Sequence, residues 1–296
     1  MEAAEARRAA ERLTAAFIAD LNEIGFLRGA SDEGHEARSS IDATIMIAIT
    51  QANVEPLLRD PQHRRAYDTM DAPPPDSVRR PVSTRAVAES IGLPAETVRR
   101  RVNRLVELGL CERVRGGVVV PQRVLASSQY TEPARASCEG LGRLYARLRG
   151  LGVLDPPRHP QPAMAPFPYR LVMRIWGDHL LRSLETAART LGGLLQVMLQ
   201  LSILRANGEG GGGRPVTVAA LARRLGLPEE TVRRNAARLV AEGRCLRTSR
   251  GLLMAPDVLE RPEWIAFTSA HLNNLLRFYS VLDARGLLHA WEMGPG

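Results

Sequence analysis

The 296-residue chain has no lysine, since all 40 of its basic residues are arginine, and it has only three cysteines. The cysteines, Cys111, Cys138 and Cys245, lie far apart and form no CxxC pair, so neither a disulfide framework nor a zinc site is indicated. The absence of lysine beside plentiful alanine, glycine and proline is typical of GC-rich codon usage. The net charge of +8 therefore means little until the charge is located along the chain.

Long hydrophobic runs are missing too. The longest, residues 191–204, is too short and too interrupted by glutamine to cross a bilayer, and the first residues are charged where a secretory signal needs an apolar core. With 45% hydrophobic and 24% charged residues, the composition is that of a globular protein long enough for two modest domains. We expect a reduced, cytoplasmic and nucleoid-associated protein with no membrane partner.

Motifs for catalysis or cofactor binding are also lacking. The six histidines form no i, i+4 pair and have no cysteine at ligand spacing, so no metal site is predicted. The glycine-rich residues 208–213 are followed by Arg-Pro, where a phosphate-binding loop needs Lys-Ser or Lys-Thr. No triad, nucleophile elbow or pair of carboxylates can be identified. We therefore expect no enzyme activity and no cofactor.

An internal repeat organises the chain. At an offset of 134 residues, segment 81–125 aligns without a gap with segment 215–259, and 21 of the 45 positions are identical. Upstream, IMIAITQAN (45–53) resembles LQLSILRAN (199–207). Six prolines within residues 155–168 are typical of a linker. We predict a first domain at 1–154, a proline-rich linker at 155–168 and a second domain at 169–296.

Each copy has the same order of elements. In the first copy, residues 83–90 read as a short helix, 91–93 as a turn, and a second helix opens at Pro94 and ends at Gly109. A hairpin follows, with strands at 111–114 and 118–120, and a short strand at 81–83 precedes the first helix. The second copy repeats this with a helix at 229–242 and a hairpin at 245–255. The predicted fold is mainly α with small β-hairpin wings: two tandem winged helix-turn-helix domains.

The pattern LPxETVRRxxxRLVxxG, at residues 93–109 and 227–243, resembles the recognition helix of bacterial winged helix-turn-helix transcription regulators. The order of the flanking helices resembles that of MarR-type regulators, whose outer helices form the dimer. This resemblance implies that one chain acts as an intramolecular pseudo-dimer. Whether it forms a further homodimer, and whether a small-molecule effector binds, stays open.

The exposed face of the second helix carries the candidate DNA-binding residues. Opposite Val98 on a helical wheel lie polar side chains that suit the major groove, where arginine pairs with guanine and asparagine with adenine. Threonines near the helix start and arginines in the wing suit phosphates. The candidates are Thr97, Arg99, Arg100, Asn103, Arg104, Arg113 and Arg115 in the first copy, and Thr231, Arg233, Arg234, Arg238, Arg247 and Arg250 in the second.

The location of the charge supports this interpretation. Residues 81–125 and 215–259 each contain eight arginines and four acids, so each segment carries +4 and the two together account for the whole +8. Codon usage acts on the entire chain and does not explain this concentration, whereas a phosphate-facing surface does. Double-stranded DNA is therefore the predicted partner.

The copies differ at two positions on or beside this face: Asn235 replaces Arg101, and Ala237 replaces Asn103. We therefore expect two related half-sites that are not identical. A replication initiator and a winged-helix module for protein contacts or chromosome organisation remain alternatives.

The tryptophans Trp176, Trp264 and Trp291 indicate core packing between the copies, with an effector pocket as the alternative.

Overall fold

The computed structural model describes residues 3–24, 39–59, 65–158, 166–208 and 213–292, with the side chains of 19–24 and 58–59 left aside. The middle of the predicted linker, 159–165, and most of the glycine-rich loop, 209–212, lie outside these residues. The first half contains α1 (Ala3–Ile24), α2 (Ser40–Arg59), α3 (Thr84–Ile91), α4 (Ala95–Glu107), β1 (Glu112–Val114), β2 (Gly117–Val119), α5 (Gln122–Ala126) and α6 (Ser128–Gly150).

Among the described residues, the second half repeats these elements in the same order, without an equivalent of the short 3-10 helix Asp76–Val78 that precedes α3 and with one more helix at its end. It contains α7 (Tyr169–Leu191), α8 (Leu194–Asn207), α9 (Val218–Leu225), α10 (Glu229–Ala241), β3 (Leu246–Thr248), β4 (Gly251–Leu253), α11 (Pro256–Leu259), α12 (Pro262–Asp283) and α13 (Leu288–Glu292). The fold is thus mainly helical with two small antiparallel strand pairs. The predicted boundaries of the short helices and of the strands are each within about two residues of those observed.

Local capping interactions fix where the first helix of each helix-turn-helix, α3 or α9, begins and ends. The hydroxyl oxygen of Ser83 accepts a hydrogen bond from Ala86 N, and that of Thr217 accepts one from Ala220 N, so each side chain satisfies an unpaired donor at a helix start. Each helix is followed by a glycine in the left-handed conformation, Gly92 after α3 and Gly226 after α9.

The predicted strand at 81–83 is reduced to a single bridge. Val82 pairs with Val118, and Val216 pairs with Leu252, so each wing has a third, one-residue strand. The approach is close enough that a Cβ atom on Gly117 would meet the backbone of Val82. A glycine is therefore required at this point of the wing.

The second helix of each pair buries one stripe. Val98, Val102 and Leu105 of α4 are almost fully buried, as are Val232, Ala236 and Leu239 of α10. These residues join a single hydrophobic cluster that runs through both halves. The opposite faces of α4 and α10 are left to the solvent.

The long first helix of each half packs on the other half. Helix α1 lies against α8 and α12, whereas α7 lies against α2 and α3 as well as against its own α8 and α12. The ring of Phe17 meets Trp176 edge-on, with the centroids 6.1 Å apart, and Tyr145 contacts Trp291 at 6.2 Å. Trp264 is buried and contacts Phe267 within α12. Two of the three tryptophans therefore lie between the halves.

Buried arginines anchor α7 to the first half. Arg170 donates to the carbonyl oxygens of Thr69 and Met70, and Arg174 forms an ion pair of 2.6 Å with Asp68. Burial lowers the pKa of both guanidinium groups. The surrounding carbonyls and the carboxylate accept hydrogen bonds from most of their donors, although Nη1 of Arg170 is buried without a partner among the described residues. These contacts bind the start of α7 to the loop between α2 and α3.

By length and hydropathy, no single helix of the described residues could cross a membrane. The pair α7 and α8 passes the same criteria only when the two are taken together, and they are bent by 92°.

Candidate nucleic-acid interface

The candidate interface consists of the exposed faces of α4 and α10, called here the recognition helices, and of the two strand pairs, called the wings. Each recognition helix follows a proline, Pro94 or Pro228, and buries the stripe described above. Burial of that stripe fixes the rotation of the helix, so its polar face points to solvent. All thirteen predicted site residues are exposed or half-buried.

Two of the predicted arginines are already paired within their own helix. Arg99 donates two hydrogen bonds to the carboxylate of Glu96, at 2.8 and 2.7 Å, and Arg233 makes the same pair with Glu230 at 2.8 Å. The hydrogen bond from Arg99 lowers the pKa of Glu96, and the carboxylate raises that of Arg99. Each of these arginines keeps three of its five N–H donors for a further acceptor.

Five of the thirteen predicted site residues are arginines that are exposed and unpaired. In the part of the chain that the structure describes, their side chains make no hydrogen bond or ion pair with any other residue. They are Arg100 and Arg115 in the first half, and Arg234, Arg247 and Arg250 in the second. Arg100 and Arg234 occupy equivalent positions of the two recognition helices, and the other three lie in the wings. An unpaired guanidinium keeps all five of its donors for a phosphate or a guanine.

The remaining candidates have mixed surroundings. Arg113 of the first wing donates to Oδ1 of Asn103 at 2.6 Å, which ties the wing to the recognition helix. Arg238 pairs with Glu242 at 2.7 Å. Arg104 is exposed. Thr97 and Thr231 are half-buried in the first turn of their helices, where backbone N–H groups are available to an anion.

Arg101, which the sequence places on or beside the candidate face, turns away from the exposed face of α4. Its guanidinium turns inward and lies 3.0 Å from the carboxylate of Asp42 at the start of α2, and it also donates to Ser39 Oγ at 2.8 Å. In the second half, Asn235 replaces it and accepts a hydrogen bond of 3.1 Å from Gln196. The exchange of Arg101 for Asn235 therefore changes a contact between two helices, because each residue faces the preceding long helix.

Two asparagines that sequence reasoning overlooked hold the wings in place. Asn53, near the end of α2, donates to the carbonyl of Val118 and accepts from the backbone N–H of Val120 at 3.0 Å. Asn207 does the same in the second half, donating to Leu252 and accepting from Met254. The signal was present in the aligned segments 45–53 and 199–207, which both end in asparagine.

A small cavity lies between α2 and α7, lined by Met46, Gln51, Tyr130 and Trp176 among others. Its free volume of about 40 Å³ is enough for a few water molecules and too small for a larger ligand.

The three cysteines are buried and free. Burial raises the pKa of Cys111 to about 12 and that of Cys245 to about 11, so both thiols are protonated and unreactive at neutral pH.

Residues 78–124 match the family model of the DeoR-like helix-turn-helix domain. This segment begins just before the Val82 bridge and ends within α5, so it covers the recognition helix and wing of the first half. No curated protein and no solved structure matches the chain. A helix-turn-helix of this type binds double-stranded DNA, and the match indicates a DNA-binding transcriptional regulator with a winged helix-turn-helix in its first half.

Proposed function

We propose that the chain is a sequence-specific regulator that binds one DNA duplex with two winged helix-turn-helix units, one in each half. The observation that carries this proposal is that five of the predicted arginines are exposed and unpaired and that they occupy the recognition helix and the wing of both units. The neighbouring Arg99 and Arg233 show that a glutamate within reach captures an arginine on these helices. Arginines left unpaired in both copies are therefore suited to an external anion.

The positions of the five arginines assign them different contacts with DNA. Arg100 and Arg234 project from the centre of the solvent face of a helix that fits the major groove, where one guanidinium can donate to both O6 and N7 of guanine. The wing residues Arg115, Arg247 and Arg250 lie beside that helix and would meet the phosphate backbone or the minor groove. Base contacts would supply sequence choice, and phosphate contacts most of the affinity.

The packing between halves supports a pseudo-dimer. Because α1 lies on the second half and α7 lies on the first, the two units share one hydrophobic core. The order of long helix, helix pair, wing and long helix in each half resembles that of MarR-type subunits, in which the outer helices join two readers. A single chain would then bind two half-sites centred about 10 base pairs apart.

The direct test is selection of bound duplexes from a random pool at ~150 mM salt, followed by sequencing. Two related half-sites about one turn apart are expected. Enrichment of direct repeats instead would favour a replication initiator, and absence of binding would favour a protein-interaction module.

Variants locate the readers on the selected site. Arg100→Ala should cost ~1–3 kcal/mol on that site and relax one half of it, whereas Arg115→Ala should weaken all sequences alike and reduce the salt slope by about 1. Arg189→Ala is the matched control, since Arg189 is an exposed arginine of α7 that pairs with Glu185. Equal losses on selected and random DNA for Arg100→Ala would contradict the role given to that residue.

A further inference from the structure

We infer that the two recognition helices differ in the bases they specify. Asn103, held by Arg113, specifies a base pair in one half-site, and the second unit makes no such contact at the equivalent pair of the other half-site. The predicted target is one stringent and one tolerant half-site. This inference rests on the proposed function, since it concerns the specificity of the same surface.

The first unit presents a preorganised amide. Arg113 Nη2 donates to Asn103 Oδ1 at 2.6 Å, and Asn103 lies one turn along α4 from Arg100, on the same side of the helix. An amide oxygen has two lone pairs, so Oδ1 can still accept a second hydrogen bond while Nδ2 donates. That combination matches N6 and N7 of adenine in the major groove. A fixed side chain also loses less conformational entropy when it binds.

The second unit lacks this pair. Ala237 stands at the position of Asn103, and it offers a methyl group without any donor or acceptor. Arg247, the equivalent of Arg113, has lost its partner and is exposed and unpaired among the described residues. Together with Arg250 it gives the second wing two unpaired arginines, whereas the first wing has Arg115 alone.

The other candidate residues of the two recognition helices are matched between the copies. Thr97, Arg99, Arg100 and Arg104 have the equivalents Thr231, Arg233, Arg234 and Arg238, and each of the ion pairs to Glu96 and Glu230 recurs. The difference in base readout therefore concentrates at the position of Asn103 and Ala237. The first half gains base contacts there, and the second half gains phosphate contacts from its wing.

The test measures the affinity of wild-type protein for the selected site and for every single base-pair change in it. One half-site should contain one more constrained A·T pair than the other. At that pair, the other bases should weaken binding by between about 5-fold and about 150-fold, the range for a bidentate side-chain contact. The equivalent pair in the second half-site should accept all four bases within about 3-fold.

Three variants assign this difference to residues. Asn103→Ala should make the first half-site as tolerant as the second. Ala237→Asn should make the second half-site stringent, because Arg247 has the same strand register in its wing as Arg113, the residue that holds Asn103. Arg113→Ala should reduce discrimination at the same pair by less than Asn103→Ala does, as expected for a positioning residue. Arg189→Ala should change neither pattern.

Different results would overturn this inference and the proposed function on which it rests. Two equally constrained half-sites in the wild type, or a second half-site unaffected by Ala237→Asn in a protein with unchanged thermal melting, would overturn the inequality and leave a specific DNA-binding regulator. Failure to select any sequence would overturn the proposed function itself.

Discussion

Replacing the contact between Arg101 and Asp42 by the equivalent contact of the second half tests whether Arg101 has a structural role rather than the DNA-binding role proposed for Arg100. Arg101 pairs with Asp42, and the equivalent positions of the second half hold Asn235 and Gln196. The relevant variants are Asp42→Gln, Arg101→Asn and the combination of both. Each single change leaves one charge without its partner, and the double change restores a neutral, hydrogen-bonded pair.

The expected cost follows from burial. Removing one partner of a fully buried ion pair costs about 3–5 kcal/mol. Here the side chain of Arg101 keeps 22% of its surface exposed, so water still stabilises it after Asp42→Gln and we expect about 2–3 kcal/mol. In Arg101→Asn the carboxylate keeps the donors N and Oγ of Ser39, at 3.1 and 2.8 Å, and we expect a similar loss. The double variant should lie within about 1 kcal/mol of wild type.

Urea denaturation measures these differences in the free energy of unfolding. An unchanged slope of that free energy against urea concentration would show that each variant exposes the same surface on unfolding as the wild type. The coupling free energy should be about 3–6 kcal/mol, the difference between the summed single effects and the double variant. On DNA, folded Arg101→Asn should bind like wild type. Additive losses, or an Arg101→Asn protein of full stability that binds DNA as weakly as Arg100→Ala, would refute the inward placement of Arg101.

Three other features give further predictions. Gly117→Ala should destabilise the fold by about 1–3 kcal/mol, because the new Cβ meets the backbone of Val82; thermal melting measures this, with Gly150→Ala as a comparison in open space. Burial lowers the pKa of His179 to about 3 and of His271 to about 4, so the free energy of unfolding should fall as the pH drops below the unfolded pKa of about 6.5, by about 1.4 kcal/mol per pH unit for each histidine. Urea titrations between about pH 7.5 and 5.5 check it, and a flat profile would contradict their burial. Deleting residues 3–24 should speed hydrogen exchange in α8 and α12 more than in α3 and α4, since α1 packs on the second half; equal effects in both halves would oppose that packing.

The helix pairs and wings could be predicted because their signals are local. Ser83 as a cap, Pro94 at a helix start and the stripe through Val98 each act within a few residues, and the structure has all three. The repeat supplied a second, independent copy of every signal. Boundaries of the strands shifted by a residue because pairing partners, rather than composition, end them.

Long-range contacts were beyond the sequence. Arg101 lies at the flank of the buried stripe, where a helical wheel leaves both directions open, and Asp42 at a distance of 59 residues decides between them. The anchoring of Arg170 and Arg174 likewise depends on carbonyl groups about a hundred residues away. Arginine composition alone gives no means to tell these buried side chains from the exposed Arg100.

Hydroxyl-radical footprinting of the wild-type protein on its selected duplex tests the central claim most directly. If both recognition helices bind one duplex, two protected patches should lie on the same face of the DNA, with centres about 10 base pairs apart. Arg100→Ala should weaken one patch and Arg234→Ala the other. Protection of a single half-turn, unchanged by Arg234→Ala, would contradict the proposal that both halves read DNA.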